Sequence, residues 1–186
     1  MSDLNAINER VDIMNALVIS AYPACGKSTY YNNNSRYANT KNSMKILDSD
    51  SSKFSWVYDS DGNKTNIRNP KFPKNYIKYI KQHLKSEDII FVSSHEVVRK
   101  ALHEAHIPFV SIFPKDSIYN MKEWRARFLS RNNTLSFIEF QMEHWTEFIN
   151  QMQEDPAPIK KVILDVHGEY PYINTNLIKY LLDNKR

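Results

Sequence analysis

The stretch from Leu17 to Thr29, LVISAYPACGKST, places an apolar run before a tight polar loop and a segment that permits a helix. This order of strand, loop and helix is the one that cradling a phosphate group requires. Backbone N–H groups of such a loop converge on the anion, and Gly26 supplies the positive φ and the close approach that the turn needs. Lys27 would neutralise phosphate charge, and Ser28 would offer its hydroxyl to a magnesium ion.

The pattern fits a P-loop, with one departure from the usual form. Ala21 stands at the first position, where glycine is usual, and Ala24 rather than a second glycine precedes Cys25. Alanine is the mildest replacement for glycine because it adds a single carbon. The predicted contacts to the nucleotide are Ala21, Ala24, Cys25, Gly26, Lys27, Ser28 and Thr29. The alternative interpretation is a structural turn between a strand and a helix.

Length and composition favour one globular domain. The chain has 186 residues, of which 41% are hydrophobic and 12% aromatic, enough for a sizeable core. No apolar run approaches the roughly 20 residues that span a bilayer, and the first ten residues lack the layout of a signal peptide. We therefore expect a single domain over residues 1–186, soluble and cytoplasmic. The single cysteine excludes an internal disulfide, and the net charge of +4 suits anionic substrates without predicting a nucleic-acid-binding protein.

Strands alternate with helices along the chain. Apolar runs predict strands at 17–19, 44–47, 89–92, 107–113 and 161–166, and helices at 28–37, 74–85, 97–106 and 173–183, with a long helical region between the last two strands. Asp116 is the expected cap of that region, which is interrupted at Asn132-Asn133 before a second cap at Thr134. This alternation predicts an α/β fold with a parallel five-stranded sheet flanked by helices, doubly wound. Ligands of such sheets bind beyond the carboxyl ends of the strands.

Two segments outside the strands have a predicted role. Residues 51–73 contain Asp-Gly and Asn-Pro turn signals and no sustained period, so we expect a lid or acceptor-binding excursion. Within it, Trp56 either stacks on a base or packs on its own loop. A stripe in the second part of the long helical region is typical of a core and consists of Ile138, Met142, Trp145, Ile149 and Met152. At the start of the chain, Leu4, Ile7, Val11 and Met14 have helical spacing.

Asp48 and Asp50 follow the second predicted strand, at the edge of the sheet where ligands bind. Carboxylates in this position hold Mg²⁺, accept a substrate hydroxyl or act as a base. The alternative interpretation is a helix cap together with a surface acid.

Arg127 and Arg131 are four residues apart and share a helix face, in a predicted lid at about 122–134. Arginine forks commonly clamp phosphoryl oxygens during transfer, whereas the alternative is a solvated basic face. Arg99 lies one turn after His95 and is expected to reach an acceptor phosphate, with Arg68 as a weaker candidate.

Four motifs together resemble the small P-loop nucleotide kinases encoded by bacteriophages, which are similar to nucleoside monophosphate kinases. They are AYPACGKST, LDSDSSKF after the second strand, IIFVSSHEVVR at the third, and WRARFLSRNNT before a long helix. The likeness spans residues 17 to about 172. It implies a five-stranded parallel core, ATP and Mg²⁺, an acceptor lobe after the second strand and a short arginine-bearing lid.

The resemblance also implies roles for individual residues. Lys27 and Ser28 take the phosphate-loop roles, Asp50 and Arg99 look like acceptor contacts, and Arg127 with Arg131 looks like the lid. The third strand ends in Ser93-Ser94 where many P-loop enzymes carry an aspartate for the Mg²⁺ shell, a place that Asp48 can fill.

The expected function is phosphoryl transfer from ATP to a nucleoside or deoxynucleoside monophosphate, a small-molecule acceptor that we favour over nucleic acid. The alternatives are a kinase acting on a hydroxyl, of a nucleoside, a polynucleotide end or a modified base in DNA, and a non-catalytic NTP-binding module. The catalytic candidates are Lys27, Asp50, Arg127 and Arg131, and the metal candidates are Ser28 and Asp48. The acceptor candidates are Asp48, Asp50, Trp56, Arg68, His95 and Arg99.

Overall fold

The computed structural model describes residues 16–35 and 43–185. The described strands are β1 (Leu17–Ala21), β2 (Ile46–Asp48), β3 (Trp56–Tyr58), β4 (Lys64–Arg68), β5 (Ile89–Ser93), β6 (Val110–Pro114) and β7 (Lys160–Leu164). The described helices are α1 (Lys27–Ser35), α2 (Ser52–Ser55), α3 (Lys74–His83), α4 (Glu96–Glu104), α5 (Ile118–Ser130), α6 (Leu135–Glu143), α7 (Trp145–Glu154) and α8 (Thr175–Asp183).

Five of the strands form one parallel sheet in the order β2-β5-β1-β6-β7, and β3 pairs with β4 in a separate antiparallel hairpin. The prediction of a parallel five-stranded sheet flanked by helices is confirmed. Strand β1 lies at the centre and is buried along its whole length, which explains why nearly every residue in it is apolar.

Alternate residues of β1 face two separate hydrophobic clusters. Leu17 and Ile19 face the cluster to which α5, α6, α7 and α8 contribute, whereas Val18 faces the cluster formed with α3 and α4. The sheet therefore carries helices on both faces, and only its edges are left for a ligand.

The strand register brings the polar loops to one edge. Ala21, the last residue of β1, pairs with Ser93, the last residue of β5, and Asp48 at the end of β2 pairs with Phe91. Because parallel strands end on the same side, the loop after β1, the Asp48–Asp50 turn and the Ser93–His95 turn open onto one space.

The long helical region is divided once more than predicted. Thr134 does cap α6, since its hydroxyl accepts from the N–H of Phe137 at 3.3 Å, but the helix breaks again at His144. Asp116 is not the cap of α5. That position belongs to Ser117, whose hydroxyl accepts from the N–H of Asn120 at 3.2 Å.

The apolar stripe of this region is confirmed as core. Its buried members are Ile138, Trp145, Ile149 and Met152, with Met142 partly buried beside them. In residues 16–35 and 43–185 no helix combines the length and the apolar content needed to cross a membrane.

The segment 51–73 is more regular than predicted. It contains the short helix α2 and the β3–β4 hairpin, in which Trp56 pairs with Arg68. The carboxylate of Asp59 accepts from the N–H groups of Asp61 and Asn63, at 3.0 Å and 2.8 Å, and so fixes the turn. The predicted amphipathic turns at Leu4 to Met14, and the last residues of the helix predicted to end at Tyr37, lie outside the described residues.

Candidate functional site

A cleft of about 1590 Å³ opens at the carboxyl ends of β1, β2 and β5. It lies between the loop after β1, the β3–β4 hairpin, α5 and the loop after β7. The predicted site residues that line it are Ala24, Gly26, Lys27, Ser28, Thr29, Asp48, Asp50, Trp56, Arg68, His95, Arg127 and Arg131. Folding thus brings together residues that are scattered over more than a hundred positions of sequence.

The loop after β1 has two residues in the left-handed region, Ala24 at φ 60° and Gly26 at φ 104°. A side chain at Gly26 would be strained by this φ, and its Cβ would lie 3.3 Å from the carbonyl oxygen of Ile173. The N–H of Ile173 donates to the carbonyl of Cys25 at 2.8 Å, so the loop after β7 packs directly on the loop after β1. Gly26 is therefore required by both its conformation and its surroundings.

Cys25 and Ala21 lie beneath the cleft and do not line it. Burial raises the pKa of the Cys25 thiol to about 12, so it stays protonated and is a small packing residue. Ala21 contributes its carbonyl oxygen, which accepts from Nζ of Lys27.

Helix α1 begins at Lys27 and points its N-terminus into the cleft, because Lys27, Ser28 and Thr29 all line that space. The first N–H groups of a helix have no carbonyl partner within the helix, and together with the helix dipole they form a site for an anion. The side chains of Ser28 and Thr29 are exposed there. This end of the cleft has the donors that a phosphate chain needs.

The ammonium group of Lys27 lies under the loop, where burial lowers its pKa and the carboxylate of Asp48 partly opposes that shift. The charge of Arg131 lowers the pKa of Lys27 further. Lys27, Asp48 and Arg131 are thus close enough for their charges to interact.

Asp50 precedes Ser51, the N-cap residue of α2, and faces the cleft. Its Oδ1 accepts from the N–H of Ser52 at 2.9 Å, and its Oδ2 accepts from the hydroxyl of Ser52 at 2.7 Å. Each carboxylate oxygen can accept more than one hydrogen bond, so the two contacts from Ser52 leave acceptor capacity toward the cleft. Ser52 consequently orients the Asp50 carboxylate and leaves its oxygens able to accept further hydrogen bonds.

Arg127 is held in place by backbone carbonyls. Its Nη1 donates to Ala24 at 3.5 Å and its Nη2 to Pro171 at 3.2 Å, while the guanidinium carbon lies 4.1 Å from the centre of the Trp124 ring. Arg131, at the end of α5, has an exposed side chain. The two arginines therefore differ in how firmly the protein positions them.

The hairpin contributes a second cationic region at the other side of the cleft. The guanidinium of Arg68 lies 3.8 Å and the ammonium of Lys64 4.5 Å from the centre of the Trp56 ring. Cation–π attraction of this kind fixes both cations, so the ring predicted to stack on a base is engaged by protein charges. Desolvation within the cleft and the charge of Arg68 lower the pKa of His95 below 6.5, which keeps its imidazole neutral at pH 7.

Arg99 does not line the cleft. Its side chain is 3% exposed, its Nε donates to Oδ2 of Asp155 at 2.5 Å, and its Nη1 donates to the carbonyl of Ser94. The structure thus gives Arg99 a buried ion pair joining α4 to the end of α7, away from the position expected of an acceptor contact.

Several cleft residues were not predicted from sequence. Lys64, Glu123, Ser130, Phe137, Pro171 and Tyr172 line the same space. The sequence shows that Lys64 is basic, but its approach to Trp56 depends on the register of the hairpin. The approach of residues 171–172 to Gly26 depends on the fold of β7.

The residues proposed for Mg²⁺ fit what that ion requires. Within the described part of the chain, no group of three or more His, Cys, Asp or Glu side chains could hold a metal. Mg²⁺ needs no such group, because it keeps several waters and binds through one or two carboxylates plus substrate phosphates. The hydroxyl of Ser28 and the carboxylate of Asp48 line one cleft, whereas Ser93 offers a neutral hydroxyl that accepts from the N–H of His95 at 3.3 Å.

Comparisons with known proteins do not identify a function, so a functional assignment has to rest on the geometry of the cleft. No protein-family model matches the chain, and no curated protein matches it.

Proposed function

We propose that this chain is a P-loop phosphotransferase that transfers the γ-phosphoryl group of ATP to a nucleoside or deoxynucleoside monophosphate, giving the diphosphate. The observation that carries the proposal is that Lys27 and the N-terminus of α1 share a cleft with Asp48, Arg127 and Arg131. The strand order β2-β5-β1-β6-β7, with the phosphate loop after the central strand, is compatible with a P-loop fold.

The part of the cleft around Lys27 and the N-terminus of α1, here called the donor half, supplies the contacts for the phosphoryl group that is transferred. N–H groups at the start of α1 receive the β- and γ-phosphates, and Lys27 neutralises the charge that they share. Arg131 and Arg127 contact the γ-phosphoryl oxygens, where charge is spread in the transition state. Mg²⁺, held by Ser28 and Asp48, would neutralise further phosphate charge when bound.

The part of the cleft around Lys64, Arg68 and His95, here called the acceptor half, supports a phosphate-bearing acceptor. Lys64 and Arg68 present two fixed cations on the hairpin, and the neutral His95 can donate or accept a hydrogen bond beside them. An ionised oxygen of the acceptor attacks the γ-phosphorus, the bond from that phosphorus to the bridging oxygen breaks, and ADP leaves. Positioning and charge neutralisation suffice for this step, since the attacking oxygen carries no proton to remove.

Asp50 favours a second candidate, transfer to a hydroxyl group. A hydroxyl acceptor must lose its proton during transfer, so it needs a positioned base. The hydrogen bonds from Ser52 fix the carboxylate of Asp50, which could accept that proton. The same cleft then phosphorylates a nucleoside, a polynucleotide end or a modified base.

A coupled assay of ADP release tests the proposal, using the full chain with ATP, Mg²⁺ and a panel of acceptors. The panel holds the ribo- and deoxyribonucleoside monophosphates, the matching nucleosides and a short DNA strand with a 5′-hydroxyl. We expect ADP release with at least one monophosphate and none with the nucleosides. Release only with hydroxyl acceptors would replace the proposal by the second candidate, and ATP binding without release for any acceptor would leave a non-catalytic NTP-binding module.

A further inference from the structure

The basic residues of this chain are concentrated in one segment. Residues 62–86 hold seven of the 25 Lys and Arg residues and none of the 21 Asp and Glu residues. These seven are Lys64, Arg68, Lys71, Lys74, Lys78, Lys81 and Lys85, here called the basic track. Acidic residues therefore outnumber basic ones in the rest of the chain, and the overall charge of +4 conceals this concentration.

The track starts with residues of the cleft and continues along the exposed side of α3. Lys64 and Arg68 line the cleft, and Lys74, Lys78 and Lys81 follow at helical spacing on the exposed side of α3. Residues spaced by four and then three positions share one face of a helix, and these lysines follow one another at about 4.5–6 Å along its axis. Among the described residues, no carboxylate forms an ion pair with any of the three.

A groove of about 720 Å³ runs beside these lysines, between α3 and α4. Its apolar lining comes from Pro73, Ile77, Val97, Ala101 and Ala105. The acidic side chains that face it, Glu96 and Glu104, stand on the α4 wall, and Glu96 is paired with Lys100 at 2.6 Å. The charged side chains on the α3 wall of the groove are therefore all basic.

We propose that the basic track binds a single strand of nucleic acid whose end enters the acceptor half of the cleft. A row of cations on one helix face matches a row of phosphates, and the apolar groove beside it offers space for a base turned away from the backbone. A flexible single strand can follow α3 and then bend into the cleft, whereas a duplex with a persistence length of about 150 base pairs cannot.

This inference extends the proposed function and rests on it only for the chemistry at the strand end. Arg68 and Lys64 would meet the terminal phosphate of the strand as they would meet that of a free nucleotide. Binding along α3 is a separate property, which can be measured without ATP or turnover.

The test is fluorescence anisotropy of a labelled DNA strand of 20 nucleotides with the full chain, without ATP, between 50 and 200 mM NaCl. The variant is Lys74→Gln/Lys78→Gln/Lys81→Gln, and the matched control is Lys45→Gln/Lys122→Gln/Lys179→Gln, which removes the same charge from exposed lysines elsewhere. We expect the track variant to bind roughly tenfold or more weaker at 50 mM NaCl, and its salt dependence, log K against log[NaCl], to lose about two units of slope. The control should stay within about twofold of wild type.

Three results would overturn the proposal. They are no binding by wild type, equal losses in both variants, or equally tight and equally track-dependent binding of poly-L-glutamate, which would mark a site for acidic protein. Circular dichroism, and ADP release with a free nucleotide, should be unchanged in both variants. If no acceptor supports ADP release but the strand still binds through the track, the proposed function fails and this inference stands.

Discussion

The ammonium Nζ of Lys27 lies 2.5 Å from the carbonyl oxygen of Ala21, the last residue of β1. A second carbonyl, that of Tyr22, lies 3.4 Å from the same nitrogen. The lysine is thus folded back on the strand from which its own loop departs, in the position from which it can turn to a phosphate. Because ammonium groups have three donors, it can keep one carbonyl contact while it binds an anion.

Replacing Lys27 by alanine should abolish transfer and leave the fold intact. The substitution removes the cation that meets the β- and γ-phosphates, and we expect kcat to fall by roughly a hundredfold or more, as on loss of one transition-state donor. Lys122→Ala, which removes an exposed lysine from α5, is the control. A folded Lys27→Ala protein with near wild-type ADP release would refute the assignment of the phosphate loop.

Arg127 and Arg131 should respond differently to replacement by alanine. Both variants are expected to lower kcat more than they weaken ATP binding, because contacts to the γ-phosphoryl group tighten toward the transition state. Only Arg127→Ala should also lower the free energy of unfolding, by about 1–2 kcal/mol, since it loses the Ala24 and Pro171 carbonyls and the Trp124 ring.

Steady-state kinetics and urea unfolding separate these effects, with Arg125→Ala on the exposed surface of α5 as the control. Unchanged kcat in both variants would place these arginines on a solvated face, with Arg127 serving stability alone.

Asp50→Asn distinguishes the two acceptor classes. For a monophosphate acceptor, the substitution should mainly raise the acceptor KM and keep a measurable kcat, because the attacking oxygen is already ionised. For a hydroxyl acceptor, loss of a positioned base should cost roughly a hundredfold or more in kcat. The side chain is exposed, so unfolding should be unaffected; a collapse of kcat at constant KM would favour the hydroxyl kinase.

Arg99 should matter for stability rather than for acceptor binding. Removing it leaves the carboxylate of Asp155, whose side chain is 12% exposed, without its partner, and we expect Arg99→Ala to lower the free energy of unfolding by about 3 kcal/mol. The double variant Arg99→Met/Asp155→Leu should recover part of that loss, which urea unfolding would reveal. A raised acceptor KM with unchanged stability would instead restore the role of acceptor contact.

The ionisation of His95 should report on anions in the cleft. Desolvation and the neighbouring cation of Arg68 disfavour the charged imidazole, so its NMR titration midpoint should lie below 6.5 in the free protein. A phosphate-bearing acceptor beside Arg68 offsets that cation, favours the protonated ring and should move the midpoint upward. His103, exposed on α4, is the control resonance; a His95 midpoint that does not move at saturating nucleotide would exclude an acceptor phosphate at this place.

The parts of this fold that depend on nearby residues were predictable from the sequence. Apolar runs located the sheet strands because parallel strands are buried on both faces. Gly26, Lys27 and Ser28 predicted a loop at the carboxyl end of β1, and the structure places all three in the cleft. The hairpin was missed although Asp61-Gly62 stands between its strands, a common hairpin signal, because those strands are short and mostly exposed.

The parts that depend on distant residues were not predictable. Arg99 appeared free beside His95, but its partner Asp155 is 56 positions away and enters only through the packing of α7. Arg127 was predicted as a lid residue, and its carbonyl partner Pro171 is 44 positions away in the sequence, in the loop after β7.

The hydrogen bond from Ile173 to Cys25 determines when, during synthesis of the chain, the loop after β1 can adopt its final conformation. A nascent chain that has been translated only as far as β7 already carries the Gly-Lys-Ser sequence, but it lacks the N–H of Ile173 and the Pro171 carbonyl that hold the loop and Arg127. The left-handed turn at Ala24 is strained by itself and persists only where surrounding contacts determine it. If the loop binds ATP as proposed, capture should begin only after residue 173 has left the ribosome, so unfinished chains should not sequester nucleotide.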